Sequence, residues 1–71
     1  MYYLVKENMG NRRCIARKSI DDFVDGDEFD CLVIIPADID KLTWVRTVSI
    51  SCTNSPGRQI TADIYTDDDY L

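Results

Sequence analysis

Residues 45–53 and 59–66 both alternate between apolar and polar side chains, and a Pro-Gly turn separates them. This pattern limits the fold more than any other feature of the chain. A period of two places successive side chains on opposite faces, so each run reads as a strand with one face covered. Val48, Ile50 and Cys52 fall on one face of the first run; Ile60, Ala62 and Ile64 fall on one face of the second. The intervening Asn54-Ser55-Pro56-Gly57-Arg58 is dense in turn formers and predicts a hairpin. A second hairpin is predicted at the other end. Tyr2–Glu7 is aromatic and β-branched, Asn8-Met9-Gly10-Asn11 is a turn signal, and residues 12–18 alternate again. There Cys14 and Ala16 are expected on one side, with Arg13, Ile15 and Arg17 on the other.

Between the hairpins the pattern changes. Ser19 followed by Asp22 resembles a weak capping box, and Ile20, Phe23 and Val24 fall at helical spacing before Gly26. A short helix or a structured loop fits. Cys31-Leu32-Val33-Ile34-Ile35 is a continuous apolar run between Asp30 and Pro36, which predicts a strand buried on both faces. Residues 37–42 suggest one helical turn with Asp38 as cap. The expected class is α+β: a mostly antiparallel sheet of four to five strands built from two hairpins, with one or two short helical turns. With 71 residues the chain forms one domain, expected to be compact over 1–66 with a frayed acidic tail at 67–71.

A domain this small buries little surface, so a second copy of the chain is an expected stabiliser. Three cysteines, no CxxC pair and no histidine predict free thiols in a reducing cytoplasm rather than a disulfide scaffold or a metal site. The opening MYYLVKENMG lacks the apolar run of a secretory leader, and no stretch has the ~20 apolar residues of a membrane span, so no membrane partner is expected.

Charge is divided unevenly. Residues 1–18 carry five bases (Lys6, Arg12, Arg13, Arg17, Lys18) against Glu7, a net of 5 − 1 = +4, and residues 19–71 carry twelve acids against Lys41, Arg46 and Arg58, a net of 3 − 12 = −9, summing to the overall −5. Such asymmetry concerns partners rather than fold.

The acidic run Asp21, Asp22, Asp25, Asp27, Glu28 and Asp30 is the principal candidate site. An EF-hand register with Gly26 sixth places Phe23 third and Leu32 twelfth, so the calcium pattern fails at two ligands. Carboxylates on a small fold also imitate the phosphates of a nucleic acid. That points to a protein target with a basic groove, such as a nucleic-acid-processing enzyme, which the chain would modulate or inhibit as a phage- or mobile-element-type inhibitor. Phe23 and Phe29 would supply apolar anchors.

The alternative site is the basic patch of Lys6, Arg12, Arg13, Arg17 and Lys18, with Tyr2 and Tyr3 placed to stack on bases. It would make the chain a nucleic-acid-binding module, against the repulsion of its acidic majority. Pairing of opposite charges between copies gives a third, structural role. Catalysis has little basis: there is no histidine for a nucleophile pair and no Gly-rich phosphate loop, and no cofactor is implied. Trp44 is expected to pack in the core, or, if exposed near Arg46, to mark an interface. The terminal Asp69-Tyr70-Leu71 could serve as a peptide ligand.

Overall fold

The computed structural model describes residues 1–68. Both predicted hairpins form. Strand β1 (Tyr2–Asn8) pairs antiparallel with β2 (Asn11–Lys18), and β4 (Thr43–Cys52) pairs antiparallel with β5 (Gln59–Thr66). The first turn is tight because Met9 and Gly10 both adopt positive φ, 54° and 83°. Two-residue hairpin loops of the I′ kind need this at both central positions, since its twist matches that of the strands.

The two hairpins share one sheet. β1 pairs antiparallel with β5, with Tyr3 opposite Tyr65 and Leu4 opposite Ile64. A short strand β3 (Asp27–Phe29) adds to β4 in parallel, and the strand order is β2-β1-β5-β4-β3. The sheet is therefore mixed rather than antiparallel throughout. Among the described residues the helical content is one 3₁₀ turn, Ile39–Lys41, so the α+β expectation reduces to a sheet-dominated fold. Asp38 stands at the N-cap of that turn but makes no side-chain capping bond.

The sheet curls. Ile15 on β2 and Val48, Ile50 and Cys52 on β4 belong to one core cluster, although two strands lie between them. Leu4, Ala62 and Ile64 complete this inner face, and Phe23 covers it from the loop after β2. The predicted alternation of β4 and β5 places these side chains correctly.

A bulge alters the reading of β2. Leu4 pairs with Ala16 and Val5 with Cys14, so Ile15 is the extra residue. An inserted residue shifts the alternation beyond it. Cys14 and Ala16 therefore lie on opposite faces, and so do Arg13 and Arg17. The expected grouping of Arg13 with Arg17 is overturned by this one residue.

Residues 19–26 form a loop, not a helix, because their polar groups are taken elsewhere. Gly26 N donates to Ser49 O, and Val24 N donates to the Asp27 carboxylate. Nor do residues 31–35 form a buried central strand. Leu32, Val33 and Ile34 are 73%, 42% and 58% exposed. The chain turns at Asp30, whose carboxylate accepts from Leu32 N and whose carbonyl accepts from Val33 N. It then crosses from the β3 edge to the opposite edge of the sheet, where Ile35 N donates to Cys14 O.

The expectation of three free thiols also fails. Phe29 pairs with Cys52, which brings Cys31 beside the end of β4, and Cys31 and Cys52 form a disulfide with Cα atoms 5.4 Å apart. That separation is ordinary for a bridged pair. Cys14 is the free cysteine among the described residues; it is buried, and burial raises its thiol pKa.

Candidate functional site: the outer face of the sheet

The acidic run is used largely within the molecule. Asp21 makes a two-pronged pair with Arg46, at 2.7 Å to Nη2 and 3.2 Å to Nε, and Arg46 also donates to the Phe23 carbonyl. These bonds fasten the loop over the core, and the Asp21 hydrogen bond raises the Arg46 pKa. Asp22 pairs with Lys18 at 3.0 Å. Asp25 accepts from Ser49 N, Asp27 from Val24 N and Asp30 from Leu32 N. Carboxylates accepting backbone N–H groups stabilise turns that lack a ladder of their own. Glu28 is exposed and, among the described residues, has no such bond.

The two proposed aromatic anchors differ from expectation. Phe23 is 1% exposed and belongs to the core, so it is unavailable to a partner. Phe29 is half-buried against it, with ring centroids 5.9 Å apart. The Lys18 ammonium lies 4.7 Å and 5.7 Å from the two ring centres. The Phe-Lys-Asp22 group is a structural clasp. Among the described residues no group of three or more His, Cys, Asp or Glu side chains gathers as a metal site would require.

The basic patch is dispersed. Lys18 belongs to the clasp. Arg12 pairs with Asp40, and the Tyr65 hydroxyl and Asp40 raise its pKa. Lys6 lies opposite Arg13 on the inner face near the open end of the curl; Arg17 lies opposite Tyr3 on the outer face. Tyr2 packs against the core.

The structure instead assembles a row that the linear sequence hides. Arg17 pairs with Tyr3, Tyr3 with Tyr65, and Tyr65 with Trp44. Directly opposed residues share a face, so these four side chains cross β2, β1, β5 and β4 on the outer side of the sheet, each about 5 Å from the next at Cβ. Trp44 is 55% exposed rather than in the core. Its indole N–H donates to Asp63 at 3.2 Å, and Asp63 also accepts from Thr47 Oγ1 at 2.7 Å. Tyr3 donates its hydroxyl to Asp67 at 2.9 Å. The row is thus aromatic, fixed by hydrogen bonds and fringed by carboxylates. The sequence marks Tyr3, Arg17 and Trp44 separately, and Asp63 only as one more surface acid; Tyr65 carries no signal until the β1–β5 pairing joins the hairpins.

Asp67 has a further role at this edge. The Met1 amine donates to it at 3.0 Å, and this bond, followed by the Tyr3 hydroxyl, lowers the Asp67 pKa from 3.8. A depressed carboxylate contributes stability that is present above its unfolded pKa and lost as pH falls through the folded value. Asp67→Asn should therefore melt below wild type at neutral pH, and the two should converge as pH falls well under 3.8, as followed by thermal melts across pH. Asp68 also approaches the amine, at 3.4 Å; residues 69–71 of the tail expected to fray, with Asp69-Tyr70-Leu71 as the alternative peptide ligand, lie outside the described residues.

Fold and face together define a small curled-sheet domain that presents an aromatic row on its outer side. Compared with family models, curated proteins and solved structures, the chain shows no match. No helix among the described residues is long and apolar enough to cross a membrane.

Proposed function

We propose that this protein is a non-enzymatic binding module that docks on a basic protein surface and modulates or inhibits its target. The exposure of Trp44 at the end of the Arg17–Tyr3–Tyr65–Trp44 row carries this reading. Trp, Tyr and Arg dominate the energetic centres of protein interfaces. Lysine or arginine side chains of a partner would lie over the aromatic faces and reach Asp63 at the rim. The overall charge of −5 favours a basic protein and opposes a polyanion such as nucleic acid. The carboxylates of residues 21–30 then act through their field rather than by contact, since most hold the loop. A disulfide at the sheet edge fits an oxidising compartment better than the cytoplasm suggested by the cysteine count.

Trp44 is the sole tryptophan, so its fluorescence reports the face directly. Titration with a deca-arginine peptide at low salt should perturb its emission saturably. Trp44→Ala should weaken binding, measured by calorimetry, by about 30-fold, the scale of a hot-spot residue. Added salt should weaken the wild-type complex. Unchanged Trp44 emission at saturation, or a response to an oligonucleotide in place of the peptide, would refute the assignment. Light scattering during the titration separates docking from self-association into a homodimer.

A further inference from the structure

We infer that the open end of the curl, between the tips of the two hairpins, is a binding site for a small phosphate-bearing anion. Acids outnumber bases thirteen to eight in this chain. Arg12, Lys18, Lys41 and Arg46 each meet an Asp carboxylate. Among the described residues Lys6, Arg13, Arg17 and Arg58 do not, and three of these four line two cavities that share Lys6 and Asn8.

Lys6 and Arg58 line a cleft of about 540 Å³ together with Asn8, Asn54 and Ser55. Lys6, Asn8 and Arg13 line an adjoining cavity of about 290 Å³. Lys6 and Arg13 are also directly opposed on β1 and β2. Like charges in that register repel each other and destabilise the sheet. In a chain with surplus carboxylates, a neighbouring acid would ordinarily relieve this repulsion. Glu7 borders the first cleft but pairs in register with Arg12 on the outer face. Counting Lys6, Arg13 and Arg58 against Glu7, the end retains a net of 3 − 1 = +2.

The chemistry suits a terminal phosphate. Arginine forks bind two oxygens at once, lysine adds a mobile point charge, and the Asn and Ser groups supply neutral donors. A dianion balances the two charges of the Lys6–Arg13 pair, whereas a monoanion leaves a net of +1. This site lies away from the aromatic row and does not depend on the partner proposed for it.

Inorganic phosphate, pyrophosphate and acetate can be titrated separately into isotopically labelled protein, with amide and guanidinium resonances followed by NMR. Phosphate and pyrophosphate should shift Lys6, Arg13, Asn54 and Arg58 saturably at millimolar or lower concentration, with acetate much weaker. Arg13→Gln and Arg58→Gln should each weaken phosphate binding about tenfold, as expected for loss of one charge-assisted contact. Arg17→Gln, an equal charge loss on the outer face, should leave it unchanged. Shifts that fail to saturate, acetate binding as tight as phosphate, or an equal effect of Arg17→Gln would overturn the proposal.

Discussion

Replacing Phe23 with alanine should cost about 3–5 kcal/mol of folding stability, the usual range for a buried aromatic truncated in place. Phe23 is 1% exposed, and it covers the inner face from a loop that contributes no strand. The loop is held by Arg46–Asp21, by the Arg46 bond to the Phe23 carbonyl and by Asp25 on Ser49 N. Losing the ring opens the core cluster that holds Leu4, Ile50 and Ile64 and strips Lys18 of the nearer of its two aromatic neighbours. Small domains have little stability in reserve, so Phe23→Ala should unfold at much lower urea or be largely unfolded in buffer. Phe23→Leu, which keeps most of the volume, should lose far less. A loss under about 1 kcal/mol for Phe23→Ala would show that the loop does not seal the core.

The second large effect is expected on reduction of Cys31–Cys52. The bridge spans a sequence separation of 21, and closing a loop of that size stabilises a fold by about 3 kcal/mol on the chain-entropy model. For so small a domain this corresponds to a fall in melting temperature on the order of 15 °C. The physical cause is local as well. β3 has three residues and pairs with β4 alone, so without the bridge it has little to hold it. Fraying of β3 would release the exposed Leu32–Ile34 crossing and open the end of the curl. Thermal melts with and without reductant measure the loss, and Cys31→Ser with Cys52→Ser should reproduce it. Alkylation of the denatured protein should find one thiol without reductant and three with it. Equal melting points in the two conditions would refute the structural role.

These two effects also mark where the sequence stops being informative. Phe23 stands in a stretch that reads equally well as helix or loop. Its importance depends on the inner face it meets, contributed by strands far away in the chain. Cys31 and Cys52 lie in separate runs with no motif between them. Their proximity follows only from the parallel pairing of Phe29 with Cys52. The run 31–35 misleads for a related reason: apolar composition alone does not distinguish a buried strand from a crossing segment whose backbone is satisfied at its ends.

The candidate site divides in the same way. Trp44, Tyr3 and Arg17 are legible as interface-forming residue types, but their alignment needs the β1–β5 pairing. The basic cluster at residues 12–18 looks continuous in the sequence. In the fold, the Ile15 bulge sends Arg13 to the inner face and Arg17 to the outer one, while Arg58 joins Lys6 from the other hairpin.

By itself the sequence determined the two hairpins, their turns, the inward residues of β4 and β5, and the excess of negative charge. Each depends on side-chain alternation or turn geometry within about ten residues, or on composition alone. The tertiary structure decided the order and curl of the sheet, the disulfide, the exposure of Trp44 and the sorting of charges between faces. Those depend on pairings between residues distant in the chain, where one inserted residue in a strand changes which side every later side chain takes.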